Sequence, residues 1–421
     1  MRATITPSRI NGQIEAVVSK SFAHRLLICA ALAGEKTEIC CKTVSDDIFA
    51  TASCLNSLCA SVTYSSSKFV VTPKGKALQS DPLVLDMKES GSTYRFLLPV
   101  ACALGKRCEF LLRGRLPDRP ITALWEVLES HGITISGRRE NKLSVSGSLK
   151  SGIYTVPGNI SSQYITGLLL ALPLLKEKSE IHIIGVPQSK SYIDITLSVI
   201  RQFGIKADIQ KNKIFIDGNQ KYVTPKFALV EGDWSNSALW LSAAAVGGNV
   251  TVTGLSHLSL QGDKAVCDIL EEFGARVIKS ENRVSVSRDK LHGIEIDAAE
   301  IPDLVPALSI AAAGALGETV ITNAGRLRYK ESDRLHSISH TLSLLGADAR
   351  VEDETLFITG NPSLNGGAVD SFNDHRIAMM AALTSVICKN NVTIDNAQSI
   401  AKSYPLFFED FRRLGGNIKE E

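Results

Sequence analysis

One short phrase, written six times along the chain, constrains the fold more than any other feature. An apolar residue, a glycine, a small or apolar residue and a polar residue lead into an alternating strand. The copies read Ser130-His131-Gly132-Ile133, Phe203-Gly204-Ile205, Phe273-Gly274-Ala275-Arg276-Val277, Leu345-Gly346-Ala347 and Leu414-Gly415-Gly416, with Leu58-Cys59-Ala60-Ser61-Val62 as a weaker first copy. The central positions are 59, 132, 204, 274, 346 and 415, so neighbouring copies lie 69 to 73 residues apart. A register kept that closely marks a structural repeat.

Each phrase follows a helical stretch, which makes its glycine a helix C′ residue, and a strand pair follows. Every unit then carries a helix that is apolar nearly all round: 25–34, 93–105, 164–175, 235–247, 304–317 and 377–388. Such helices have no polar face to give to water, so they belong in a core. A strand opens the next unit at 37–39, 108–112, 180–184, 249–252, 319–321 and 392–394. The pattern predicts an α/β chain of six βαβαββ repeats around buried helices, three to a domain. The expected boundaries are residues 19–228 for the first domain and 229–421 for the second. Residues 1–18 form an N-terminal segment, a strand over 3–14 that crosses to the second domain.

The chain has 421 residues, of which 44% are hydrophobic and 21% charged, enough for two large cores. A net charge of +2 offers no broad basic field for nucleic acid. The nine cysteines include no CxxC pair and no metal-ligand spacing, which speaks against a disulfide scaffold or zinc site. No signal peptide or membrane-length apolar run is present, and the cytoplasm is the expected compartment. The expected partners are small molecules, not nucleic acid or membrane, with the chain acting as a monomer.

Polar residues gather at two recurring places. The buried helices start with Ser19-Lys20-Ser21 and Arg25, Ser90-Gly91-Ser92-Thr93-Tyr94-Arg95, Ser161-Ser162-Gln163, Asp233-Trp234-Ser235-Asn236, Asp303, and Asn373-Asp374-His375-Arg376. The handover to each outer helix carries Ser45-Asp46-Asp47, Arg115 and Arg119, Ser189-Lys190-Ser191-Tyr192, Gln261-Gly262-Asp263, Lys330-Glu331-Ser332-Asp333-Arg334, and Lys402-Ser403-Tyr404. Repeat symmetry places both sets at one end of their units. Helix capping accounts for Ser, Asp and Asn there. It does not account for Lys20, Arg25, Arg119, Arg334, Arg376 and Lys402, which the helix macrodipole disfavours near an N-terminus. Cations and N-termini together suit phosphate and carboxylate ligands. Pairing with neighbouring acids is the competing explanation, adequate for Arg328 and Lys190.

At these residues the sequence resembles the 5-enolpyruvylshikimate-3-phosphate synthases, enolpyruvyl transferases of the shikimate pathway. The likeness runs from Ser19-Lys20-Ser21 to Lys402-Ser403-Tyr404-Pro405. Its most specific stretches are Arg326-Leu327-Arg328-Tyr329-Lys330-Glu331-Ser332-Asp333-Arg334-Leu335 and Asn373-Asp374-His375-Arg376, supported by Ser161-Ser162-Gln163-Tyr164 and Ser189-Lys190-Ser191-Tyr192.

The resemblance implies two inside-out α/β domains with an active-site cleft between them and closure driven by ligands. It implies that Lys20, Arg119, Arg334, Arg376 and Lys402 hold phosphoenolpyruvate, with Gly91 admitting a close backbone approach. Ser21, Arg25, Ser161, Ser162, Ser189, Tyr192 and Lys330 would hold shikimate 3-phosphate, with Gln163 between the two. Arg326 and His375 count with the substrate-binding positions. Asp303 corresponds to the proton acceptor and Glu331 to the proton donor, a role that Lys402 shares because flanking cations favour ionised Glu331. No metal or organic cofactor is implied. Val18, Glu89, Ser92, Phe96 and Arg326 depart from the family's usual residues, while Gly91 is kept, which implies sensitivity to glyphosate. Two alternatives stay open: the same-fold transferase acting on UDP-N-acetylglucosamine, whose loop cysteine is missing from Arg113–Pro120, and a non-catalytic repeat protein that binds a phosphorylated metabolite.

Overall fold

The structure is a computed structural model that describes residues 1–74, 81–138 and 140–421. Six four-stranded sheets repeat one plan. The second repeat shows it within its own sequence: Leu83–Asp86 runs parallel to Cys108–Leu111, which pairs antiparallel with Lys142–Gly147, which pairs antiparallel with Ile133–Ser136. A parallel pair needs a crossover, and the buried helix Gly91–Ala103 supplies it. The outer helix, here Thr122–Glu129, links the second strand to the antiparallel pair.

The six apolar stretches form helices at Lys20–Leu32, Gly91–Ala103, Ser162–Ala171, Trp234–Gly247, Val305–Gly314 and His375–Thr384. Most start before the apolar run does, so the polar residues lie in their first turns; Asp303 falls in the short turn just ahead of the fifth. Trp234–Gly247 is buried at every position. Small residues permit this packing. A Cβ on Gly167 would lie 2.3 Å from the Arg95 carbonyl, and one on Gly314 would lie 2.5 Å from Val246 Cγ1. The repeated glycines end their helices in the left-handed region, with φ from +79° to +100° at Gly132, Gly204, Gly274, Gly346 and Gly415. Cys59, the weak copy, has φ −157°, so no glycine is needed there.

The chain divides into two compact units, Val18–Val230 and Met1–Val17 with Glu231–Glu421. Each has its own hydrophobic core. The first unit completes its first sheet with its last strand, Phe227–Leu229, laid parallel to Thr37–Cys40. The second completes two sheets with its first residues. Here the single strand expected over 3–14 is corrected to two. Pro7, which lacks a backbone donor, falls in the break between them. Ala3–Thr6 inserts between Val392–Asp395 and Asn417–Glu420, whereas Ile10–Glu15 runs parallel to Gly248–Thr253.

All nine cysteines are free. Among the described residues, no helix is long and apolar enough to cross a membrane and no group of three His, Cys, Asp or Glu is placed to hold a metal ion.

One buried group gives a measurable pH dependence. His24 is fully buried, with Nδ1 2.7 Å from Thr51 Oγ1 and Nε2 lacking a partner. Burial, then the nearby Lys20 and Arg25 charges, push its pKa well below the ordinary 6.5. The unfolded chain therefore takes up a proton that the folded chain refuses. Stability is retained above pH 6.5 and falls by about 1.4 kcal/mol per pH unit below it. His24→Asn removes this contribution. Urea midpoints at pH 5.0 and 7.5 should differ less for the variant than for the wild type, and equal differences would show that the ring is protonated in the folded state.

Candidate functional site

The polar helix starts and the polar handovers meet within each unit. In Val18–Val230, Lys20 at the start of the first buried helix pairs with Asp47 of the first outer helix at 2.8 Å. Asp47 also offers its carbonyl to Thr93, near the start of the second buried helix. Ser90 caps that helix by accepting from Thr93 N at 3.3 Å, and Ser161 caps the third by accepting from Gln163 N at 3.3 Å. Gln163 donates to Ser92 Oγ and accepts from Arg95 Nη1, both at 3.0 Å, which fixes the orientation of its amide. Arg95 Nη2 reaches the Pro120 carbonyl, beside Arg119.

Gly91 lies against two guanidinium groups. A Cβ there would be 2.7 Å from both Arg119 Nη1 and Arg95 Nη1. The absent side chain is thus what lets two cations approach the first turn of a helix. Burial, then Arg119, pull Arg95 down to about 10.

Arg25 is placed differently from the other cations. It is 2% exposed and packs 4.9 Å from the centroid of the Phe96 ring. Its N–H groups bond Thr196 Oγ1, Thr166 Oγ1 and the carbonyls of Ser21 and Tyr192, four bonds from five donors. Burial, opposed by Tyr192 and Cys29, brings it down to about 10. Its main contacts tie helix to helix, and one Nη1 donor is left over. Ser162 is the buried first residue of its helix, and Ser21 and Tyr192 are half-buried. Ser189, 1% exposed, starts the helix Lys190–Gln202 from a left-handed φ of 55°. A non-glycine residue held there stores strain.

In the second unit one guanidinium organises the cluster. Arg334, 1% exposed, donates from Nη1 to Asp303 at 2.9 Å and from Nη2 to Glu331 at 2.6 Å. Its Nε and Nη2 also grip Asp374 at 2.8 and 3.2 Å. Asp374 in turn caps the sixth buried helix through Arg376 N at 2.9 Å and accepts from Ser332 at 3.1 Å. Lys330 Nζ lies 3.1 Å and Arg376 Nε 3.8 Å from Asp303. Burial pushes the Asp303 carboxyl up, but Lys330, Arg376 and Arg334 outweigh this and hold it well below the usual range. Burial also lowers Lys330, with Asp303 opposing. Burial disfavours the Arg334 charge too, but Asp374, Glu331 and Asp303 raise its pKa further. His375 is buried in the first turn beside Arg376. Arg326 is half-buried in the turn Gly325–Tyr329. Lys402 Nζ donates to the Asn373 carbonyl at 2.6 Å.

Intramolecular pairing therefore reaches further than Arg328, which bonds Asp333 at 3.2 Å. Lys20, Arg334 and Arg376 all have carboxylate neighbours. The cations remain grouped, but an incoming anion competes with these acids. The family model of EPSP synthase (3-phosphoshikimate 1-carboxyvinyltransferase) matches residues 5–411. The chain belongs to the EPSP synthase family. A 3-phosphoshikimate 1-carboxyvinyltransferase of Clostridium perfringens strain 13 is 43% identical, covering 100% of both chains. One from Clostridioides difficile strain 630 is 41% identical over 99% of this chain and 98% of its own. An EPSP synthase structure from Acinetobacter baumannii superposes with a TM-score of 0.82 at 25% identity, covering 100% of both chains. The enolpyruvyl transferase NikO from Streptomyces tendae shares the fold alone, with TM-score 0.80, 18% identity and coverage of 99% and 98%.

For this member of the EPSP synthase family, four acids and cations stood in the sequence only as parts of polar runs. Asp47, Arg95 and Asp374 each contact a candidate residue, and Asp263 bonds Ser235, whose carbonyl accepts from Arg376. The helix-start position of Asp374, directly before His375 and Arg376, was the one local signal available.

Proposed function

We propose that this chain transfers the enolpyruvyl group of phosphoenolpyruvate to the 5-hydroxyl of shikimate 3-phosphate and releases phosphate. The observation that carries this reading is the sharing of Arg334 between Asp303 and Glu331. Addition to an enol phosphate requires one group to take the hydroxyl proton and another to protonate the methylene, and one guanidinium holds both candidates in place.

The hydroxyl oxygen attacks C2 of phosphoenolpyruvate while Asp303 takes its proton. C3 gains a proton from Glu331, or from Lys402. The resulting tetrahedral phospho-ketal then returns a C3 proton to Glu331 or Lys402 while Asp303 gives its proton to the departing phosphate, leaving the enol ether and the enzyme in its starting state. Lys20, Arg119, Arg334, Arg376 and Lys402 take the phosphate and carboxylate of phosphoenolpyruvate, with the bare edge of Gly91 beside them. Ser21, Arg25, Ser161, Ser162, Ser189, Tyr192 and Lys330 take shikimate 3-phosphate. Gln163, Arg326 and His375 complete the set. In the free enzyme Asp303 is a weak base, because its cations favour the ionised form. When substrate anions draw Lys330, Arg334 and Arg376 away, that restraint eases and its basicity rises with occupancy. Positioning and electrostatic stabilisation supply the rest of the acceleration. The residues ask for no organic cofactor, and the reading places the chain as a cytoplasmic monomer acting on small molecules.

The test is phosphate release by the purified chain given both substrates, with the enol ether identified by mass. Release that depends on both is the expected result. No release, or release only with UDP-N-acetylglucosamine as acceptor, would overturn the reading.

A further inference from the structure

Arg376 lies near two carboxylates, the half-buried Asp303 and the buried Asp263, and only the first has a part in the reaction above. On one side Nε lies 3.8 Å from Asp303. On the other, Nη1 donates to the Ser235 carbonyl at 3.4 Å, and the Ser235 hydroxyl donates to Asp263 Oδ2. Asp263 is 3% exposed and lies in the turn Gly262–Ala265 that leads into the outer helix Val266–Phe273. The charged groups acting on it are Asp303, Arg376 and Asp233. Those acting on Asp303 are Lys330, Arg376, Arg334 and Glu331.

The two carboxylates are not equivalently supported. Asp303 has Lys330 and Arg334 within 3.1 Å besides Arg376. Asp263 has the Ser235 hydroxyl, and the Arg376 guanidinium reaches the carbonyl of that same serine. Phosphoenolpyruvate, which engages Arg334 and Arg376, leaves Asp303 with Lys330 and leaves the more deeply buried Asp263 with only the Ser235 hydroxyl. Buried acids deprived of a shared cation do not both stay ionised, and the less supported one takes the proton.

Resting on the proposed function, we infer that Asp263 is a positioning residue which takes up a proton from solvent when phosphoenolpyruvate binds, leaving Asp303 ionised as the base. The proton joins a carboxylate oxygen of Asp263 on binding and returns to water on release, so turnover consumes none. The direction fits the resting state: burial, then Asp303, push Asp263 up to about 6, against Arg376 and the Ser235 hydroxyl.

The test is calorimetry of phosphoenolpyruvate binding at pH 7 in buffers of different ionisation enthalpy, on wild type and Asp263→Asn. Protons that belong to the ligand cancel in the difference. Uptake by wild type should exceed uptake by Asp263→Asn by about half a proton or more, up to the limit of about 0.9 set by a group that starts near 6. Between pH 6.5 and 8.5 the KM for phosphoenolpyruvate should rise more steeply with pH in wild type, by up to tenfold per unit, while kcat of the variant stays within a few-fold. Equal uptake and parallel KM profiles would overturn the inference. Should Asp263→Asn not fold, Ser235→Ala keeps the carboxylate and removes its hydroxyl, which should move the pH of greatest uptake upwards; an unmoved maximum counts against the inference. A wild type that releases no phosphate sinks the functional reading, whereas a working wild type with equal uptake sinks this inference alone.

Discussion

Asp303→Asn should lower kcat by about three orders of magnitude, within the span found for loss of a positioned acid or base. The amide keeps the size of the carboxylate and can still accept from Lys330 and Arg334, so the pocket keeps its shape. What it cannot do is take the hydroxyl proton. Binding should move the other way. With one acid fewer competing for Arg334 and Arg376, phosphoenolpyruvate should bind as tightly as to wild type or more so. Single-turnover phosphate release and equilibrium binding separate the two effects. Turnover within tenfold of wild type would mean that Asp303 serves only as a counter-ion, and the assignment of the base would fall.

Asp374→Ala should carry the largest stability loss of any single substitution in the second cluster. Asp374 is 0% exposed and holds a 1% exposed guanidinium through two hydrogen bonds. Its removal leaves that cation buried with Asp303 and Glu331, both on the partly open side at 16% exposure. Breaking one partner out of a buried pair costs about 3–5 kcal/mol. For a unit of this size that corresponds to a fall in Tm on the order of 10 °C. Burial raises the Asp374 carboxyl, but Arg334 outweighs this and the pKa is lowered. The contribution is therefore present above the ordinary carboxylate value of 3.8 and is lost as the pH falls below it. Thermal unfolding at pH 7 checks the magnitude. A loss under about 1 kcal/mol would show that Glu331 and Asp303 suffice to hold Arg334.

The fold was legible because its signals are local. A glycine that must adopt a left-handed φ announces itself at Gly132, Gly204, Gly274, Gly346 and Gly415. The all-apolar stretches could not be surface helices. The N-terminal strand is the exception: it was read as one element although its inward positions shift from odd (Ala3, Ile5) to even (Ile10, Ile14) across Pro7, and its two halves pair with strands hundreds of residues away. The site was legible to the same degree. Cations near helix starts contradict the macrodipole locally, so Lys20, Arg334 and Arg376 stood out. Their partners did not, because Asp47, Asp374 and Asp263 lie 27, 40 and 28 residues from the groups they bond. A polar side chain at a helix start looks like a cap until its second bond is known, and Asp374 is both cap and counter-ion.

The strands at the beginning of the chain set an order of assembly. During synthesis the residues of Val18–Val230 leave the ribosome as an unbroken set, with every strand of their three sheets present once Leu229 has emerged. The other unit has no such moment until the end. Ala3–Thr6 is made first yet lies between strands ending at Asp395 and Glu420. A growing chain must therefore carry Ala3–Thr6 unpaired until nearly all the remaining residues have been added, whereas Ile10–Glu15 gains its parallel partner once Thr253 has emerged. The final sheet closes only when the last strand is released, so the half holding Asp303, Arg334 and Arg376 is the last to mature.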